Sequence, residues 1–251
     1  MNPLLARRNS ELLAQLAASN VLLAFDYDGT LAPIVVDRDL ARMRERTQLL
    51  FRSVCELYPC VVISGRSMSD VGARLGDAQV LHVVGNHGLE PGLDLAEFAT
   101  EVALVLPLLQ RSLRELPGVE VEEKSYSLAI HYRRSRTKRV ARSLIHQAVA
   151  SLPVPMRVVG GKLVVNVIPT RAAHKGNALL QLRERTATTK AFYIGDDVTD
   201  EDVFTLDEAD RLLTVRVGRS KNSAAQYFLR DQSEVDALLG NLIELRRGRP
   251  K

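Results

Sequence analysis

Val21-Leu-Leu-Ala-Phe-Asp-Tyr-Asp-Gly-Thr-Leu31 decides the fold of this 251-residue chain. Val21 to Phe25 is an unbroken apolar run, too short for a helix and without polar relief, as in a strand buried on both faces of a parallel sheet. The run ends in two carboxylates, Asp26 and Asp28. Side chains alternate along extended backbone, so both carboxylates point to one side while Tyr27 points to the other. Gly29 permits a sharp exit from the sheet. At about 4 Å and an effective dielectric near 20, two such charges repel by roughly 4 kcal/mol. A strand end of this kind therefore needs a cation or a shared proton, and oxygen-only ligands suit magnesium held by carboxylates together with a substrate phosphate. A turn merely rich in Asp is the alternative from these residues alone. A helix-loop-helix calcium site is excluded, because the segment follows a strand and lacks a Glu at the twelfth position.

Composition narrows the class further. Hydrophobic residues make up 46% of the chain and charged residues 25%, as in a globular protein with a full core. Against 30 Asp and Glu stand 34 Lys and Arg, a net charge of +4 that favours a small anionic ligand and does not argue for nucleic acid. No apolar run approaches the roughly 18 residues of a membrane helix. Residues 1–20 carry Arg7 and Arg8 and no long apolar segment, so they read as an amphipathic helix and not as a signal peptide. Cys55 and Cys60 give no disulfide framework and read as buried thiols in a reducing cytoplasm. Nothing in the sequence sets the oligomeric state, and a monomer is the default expectation.

Along the chain, residues 4–18 and 43–58 show helical apolar spacing, and Pro59 stops the second helix. Cys60-Val-Val-Ile63 is a second short buried strand, ending at Ser64-Gly65-Arg66-Ser67. Ser67 with Asp70 reads as a helix cap, so the amides of that turn face whatever Ser64 faces, a natural anion site; a satisfied turn serine is the alternative. Residues 80–84 are a third strand, followed by Gly85-Asn86-His87-Gly88. Residues 95–116 are helical, with Pro107 expected to end or kink the helix. Residues 119–123 and 128–132 read as a hairpin, 136–152 as a helix, and 156–159 with 162–168 as a second hairpin turning at Gly160-Gly161. That order describes a small antiparallel sheet backed by helices and inserted between strands of a parallel sheet. The expected division is a core of residues 1–88 and 168–251 around an inserted α+β cap of residues 89–167. After Pro169, a helix over 177–185 follows Lys175-Gly176, strand 190–194 ends in Gly195-Asp196-Asp197, strand 212–217 ends at Gly218, and 233–246 is a terminal helix.

Ligands of open parallel sheets bind beyond the carboxyl ends of the strands. Asp26, Asp28, Ser64, Asp196 and Asp197 occupy such ends, and Lys175 at a helix start can reach the same crevice. These residues resemble the haloacid dehalogenase superfamily, with four pieces in order: Asp26-Tyr-Asp-Gly-Thr-Leu31, Ser64-Gly-Arg66, Lys175-Gly176 and Gly195-Asp-Asp-Val-Thr-Asp-Glu-Asp202. The last string, with Ser64-Gly-Arg66 and Gly85-Asn-His-Gly88, is more narrowly similar to the trehalose-6-phosphate phosphatase family. The resemblance spans roughly residues 21–218. It implies an α/β fold, a doubly wound, mostly parallel Rossmann-like core with an inserted cap, and hydrolysis of a phosphosugar with Mg2+.

By that resemblance, Asp26 attacks phosphorus and forms an aspartyl-phosphate, and Asp28 first protonates the leaving oxygen and then activates water. Magnesium is held by the Asp26 carboxylate, the Asp28 main-chain carbonyl and Asp196, with Asp197 and Asp200 as possible water-mediated partners. Thr30, Ser64, Gly65 and Lys175 hold the phosphoryl group. Arg66, Asn86 and His87, with Lys124, His131 and Arg133 of the cap hairpin, face the sugar or its phosphate. For His131 a structural, hydrogen-bonded role is an equal alternative. Where the family usually reads Glu-Xaa-Arg-Pro, this chain has Asn166-Val-Ile-Pro169, so a carboxylate and a guanidinium that could bind sugar hydroxyls are missing, although Asn166 still offers a donor and an acceptor. Three rivals remain at this point: a phosphatase for another sugar phosphate, a mutase, and a non-catalytic sugar-phosphate sensor.

Overall fold

The computed structural model describes residues 1–91, 95–161, 163–208 and 210–248. The chain divides into a unit of residues 1–88 and 174–251 and a unit of residues 89–173. The larger unit opens with β1 (Asn2–Pro3), α1 (Ser10–Ala18), β2 (Val21–Phe25), α2 (Glu45–Leu57), β3 (Cys60–Ile63), α3 (Met68–Arg74) and β4 (His82–Val84). The inserted unit holds α4 (Leu95–Leu113), β5 (Glu120–Glu123), β6 (Leu128–His131), α5 (Lys138–Ala150), β7 (Met156–Gly161) and β8 (Val164–Pro169). The larger unit closes with α6 (Lys175–Arg185), β9 (Lys190–Gly195), α7 (Glu201–Phe204), β10 (Leu212–Val217), β11 (Tyr227–Leu229) and α8 (Glu234–Arg247).

Seven strands of the larger unit form one sheet in the order β1-β11-β10-β9-β2-β3-β4, parallel throughout. All five residues of β2 are buried, and they divide by alternation between two apolar layers. Val21, Leu23 and Phe25 enter the layer of α1, α2 and α8, with Leu16, Phe51, Val54 and Leu239. Leu22 and Ala24 enter the layer of α6 and α7, with Leu179, Leu182 and Phe204. An apolar run without polar relief is what a strand covered on both faces requires. Phe25 meets Phe51 edge to face at 5.2 Å between ring centroids.

The inserted unit is a four-stranded antiparallel sheet, β5-β6-β8-β7, with α4 and α5 supplying Val105, Leu109, Ile145 and Val149 to its core. Two sequence expectations are corrected here. Helix α4 runs through Pro107 without a break. Pro107 and Ala103, the residue whose carbonyl loses its partner, are both exposed, so water can take the place of the missing N–H. Gly160 and Gly161 are strand residues paired with Val165 and Val164, and the turn lies beyond them, with Leu163 at φ 64°. Lys162, expected to open the second strand of this hairpin, lies outside the described residues. Strand β1, at the sheet edge, and β11, between β1 and β10, are two and three residues long and were not expected from the sequence; residue 4, placed in a helix by its spacing, instead donates its amide to Phe228 O at 2.9 Å.

No described helix is long and apolar enough to cross a membrane. Because Phe51 closes the layer beneath the central strand, Phe51→Ala should lower the stability of the larger unit by about 3–5 kcal/mol in urea unfolding, whereas a loss under about 1 kcal/mol would show that this contact does not carry the layer.

Candidate active site

The site is built at the carboxyl ends of the central strands. Asp26 follows β2 directly, and its amide donates to Ile194 O at 2.9 Å, so the tips of β2 and β9 are locked together. Ser64 follows β3; its amide donates to Val84 O at 2.8 Å, and its carbonyl accepts from His87 N at 2.9 Å. Lys175 is the first residue of α6, which His174 caps: the imidazole Nδ1 accepts from Gly176 N at 3.1 Å, and Asn177 Oδ1 accepts from His174 N at 3.3 Å. The sequence placed the start of this helix two residues later, because it did not register histidine as a cap.

These elements bring residues 26, 175, 196 and 200 together. The Lys175 ammonium lies 2.8 Å from Asp26 Oδ1 and 2.7 Å from Asp200 Oδ1. Tyr193, on β9, donates its hydroxyl to the same Asp200 oxygen at 2.7 Å, while Asp200 Oδ2 accepts from Asp197 N at 2.8 Å. Asp26, Asp196 and Asp200 each offer an oxygen within 4.8 Å of the others. A Cβ at Gly29, whose φ is +82°, would overlap the Asp196 carboxylate, so this turn reaches its position only with glycine.

Three carboxylates against one ammonium leave a formal charge of −2. Both Asp200 oxygens are engaged, but Asp196 Oδ1 is buried without a hydrogen-bond partner, as is Thr30 Oγ1. An all-oxygen donor set with an orphaned carboxylate oxygen and a double negative excess fits a hard divalent cation. Asp200 differs in this from the water-mediated expectation: it stands at ligand spacing, yet its oxygens hold Lys175, Tyr193 and the Asp197 amide.

Burial sets the electrostatics of the cluster. It pushes Asp196 up to about 9 and Asp26 up to about 7, each reinforced by neighbouring carboxylates and opposed by Lys175. Burial alone would lower Lys175, but Asp200 and Asp26 outweigh it and hold the ammonium well above the usual lysine range. Burial, then Asp200, raises the Tyr193 hydroxyl.

Asp28 leaves this cluster. Arg66 grips its carboxylate with two bonds of 2.7 and 2.8 Å, donates to Asp70 at 2.8 Å, and also donates to the carbonyl of Arg38. Arg66, expected to face the sugar, is 2% exposed and spends its guanidinium on these partners. Asn86 and His87 are buried, with φ of 47° and 61°; the Asn86 amide donates to Arg66 O, and the His87 ring covers Gly65. In the inserted unit, His131 Nε2 lies 2.7 Å from Glu122 Oε2 and Arg133 is exposed. Asn166 is buried on β8 opposite Ala129 and Val159. Lys124 closes the β5–β6 turn through its amide on Ser127 O at 2.9 Å. Sequence reasoning passed over Tyr193, although a tyrosine in an otherwise apolar buried strand signals a hydroxyl in need of a partner.

The raised carboxylates fix a sign. Above the unfolded value of 3.8 the folded, metal-free protein binds more protons than the unfolded chain, so its stability falls as pH rises through 7 towards about 9. Thermal unfolding of chelator-treated protein should show that fall and Mg2+ should reverse it; a flat or rising profile would contradict the geometry.

A model of the trehalose-phosphatase family matches residues 24–233. The chain is 30% identical over 257 residues to a protein of Oryza sativa subsp. japonica named probable trehalose-phosphate phosphatase 4, covering 94% of this chain and 70% of the relative. It is 32% identical over 203 residues to the trehalose-phosphate phosphatase of Mycobacterium tuberculosis, covering 75% of this chain and 52% of that one. Among solved structures, the C-terminal domain of C. albicans trehalose-6-phosphate phosphatase superposes with a TM-score of 0.82 at 23% identity, over 97% of this chain and 98% of that one, a likeness of fold. With the carboxylate and lysine cluster at its strand tips and the family match spanning both units, the chain belongs to the trehalose-phosphatase family and is a phosphoric monoester hydrolase.

Proposed function

We propose that the chain hydrolyses trehalose 6-phosphate to trehalose and phosphate, with Mg2+, through an aspartyl-phosphate on Asp26. The observation that carries the chemistry is Lys175 Nζ at 2.8 Å from Asp26 Oδ1 inside a group of three carboxylates. The ammonium opposes the burial that raises Asp26 to about 7, and once its proton is lost the anionic carboxylate needs no general base in order to attack phosphorus. Asp26 and Asp196, with the Asp28 carbonyl, would hold Mg2+, which when bound neutralises charge on the phosphoryl oxygens. Thr30 and Ser64, whose side chains are buried at the strand tips, would donate to those oxygens.

Asp28 serves both halves of the reaction. It gives a proton to the departing sugar oxygen and then takes one from the water that cleaves the acyl-phosphate. The two bonds from Arg66 aim its carboxylate. The sugar itself is chosen by the inserted unit, with Lys124, His131, Arg133 and Asn166 as the residues proposed to meet it. The reading of the substrate rests on the relatives' names and the family match. Asn166 favours a second reading, a different phosphosugar, because a neutral amide stands where sugar hydroxyls would meet a carboxylate. The free thiols of Cys55 and Cys60 suit the cytoplasm.

Phosphate release from a panel of phosphosugars decides between the two: trehalose 6-phosphate should give the highest kcat/KM, and an equal or better monosaccharide phosphate would replace it. Asp26→Asn should fold and lose at least about 1,000-fold in kcat, the scale of removing a nucleophile. Retained turnover would end the covalent mechanism. Chelation should stop phosphate release and added Mg2+ restore it.

A further inference from the structure

Strand β10 reads Leu212-Leu-Thr-Val-Arg-Val217, and Arg216 is its one charged residue. A guanidinium in such a strand must find partners, and those of Arg216 lie next door at the metal loop. Arg216 pairs in register with Gly195 of β9, the residue before Asp196. Its Nη2 donates to the main-chain carbonyl of Asp196, and its Nη1 donates to that of Asp197 at 3.1 Å and to Glu201 Oε1 at 3.0 Å. Glu201, the first residue of α7, accepts in turn from Ala224 N at 2.9 Å. One side chain, 15% exposed, thus ties together the two residues that follow β9, the start of α7 and the chain before β11.

The need for such a tie follows from charge. Asp196 faces Asp26 and Asp200 within 4.8 Å, and mutual repulsion pushes its loop outward. The Asp196 Oδ1 atom has no hydrogen-bond partner to hold it, so a hold on the backbone that carries this carboxylate bears on where it lies. That backbone is caught from below by Arg216, through two consecutive carbonyls. The same guanidinium brings positive charge to the underside of the loop.

We propose that Arg216 is a positioning residue for the divalent cation: by holding the carbonyls of Asp196 and Asp197, it fixes the Asp196 carboxylate at ligand distance before the ion arrives. This rests on the cation reading given above. The competing role is a plain structural ion pair with Glu201, and the two roles part company in metal affinity.

Mg2+ binding by calorimetry on the substrate-free enzyme separates them, with thermal stability measured alongside. Arg216→Gln should weaken Mg2+ binding by about 10- to 100-fold, the range seen when an outer hydrogen-bond partner of a metal ligand is lost. The Mg2+ concentration for half-maximal phosphate release should rise in parallel, with KM for the sugar phosphate unchanged at saturating Mg2+. Glu201→Gln breaks the ion pair but leaves the two carbonyl bonds, so it should lower thermal stability while changing Mg2+ affinity by less than about threefold. Arg216→Lys, which can reach one carbonyl but not both, should fall between the unaltered enzyme and Arg216→Gln, and it serves as the reporter if the Gln variant does not fold. Unaltered Mg2+ affinity in Arg216→Gln or Arg216→Lys, or equal losses in the Arg216 and Glu201 variants, would overturn the positioning role alone. Failure of the unaltered enzyme to bind Mg2+ would instead overturn the cation reading on which it stands.

Discussion

Three carboxylates held within 4.8 Å of one another around a single ammonium is the constraint from which the rest of the larger unit takes its form. Such a group is repulsive, and no short segment could hold it together alone. The parallel sheet does so by bringing strand tips into register: Asp26 leaves β2 beside Ile194 of β9, and the turn of Gly29 lies against the Asp196 carboxylate. Helix α6 then delivers Lys175 as its first residue, capped by His174. Each attachment is ordinary in kind; together they resist a charge excess that protons or a bound cation would relieve.

The parts legible in the sequence were those governed by short-range rules. Alternation in residues 21–28 placed Asp26 and Asp28 at a strand tip, and the two buried faces of β2 followed from its lack of polar residues. Ser67 did cap α3, accepting from Asp70 N at 3.2 Å. What was hidden depended on partners far away in the chain. Tyr193 and Arg216 look like blemishes in apolar strands until the carboxylates 7 residues and 15 residues away are in view. The strands β1 and β11 are too short to carry a period, and their hydrogen bonds come from neighbours. An end or kink at Pro107 and a turn at Gly160-Gly161 are what the sequence suggests, because the solvent exposure that lets the helix continue past the first and the strand register that absorbs the second are tertiary facts.

Charge also divides between the two units. Residues 89–173 contain 12 of the 34 Lys and Arg but 8 of the 30 Asp and Glu, so the whole net charge of +4 belongs to the inserted unit, and the larger unit is neutral. A positive field on the part of the chain proposed to meet the sugar suits a phosphorylated ligand. Within that unit, Asn166 stands as a neutral residue on a buried strand face.

Protons offer the most direct test of the central claim. A cation entering between Asp26 and Asp196 must displace the protons that burial places there, since their folded values lie near 7 and 9. Calorimetric titration of Mg2+ at neutral pH in buffers of differing ionisation enthalpy counts the protons released. Release of protons by the unaltered enzyme, abolished in Asp196→Asn, is the expected result; Mg2+ binding with no proton release, or with the same release in that variant, would contradict it.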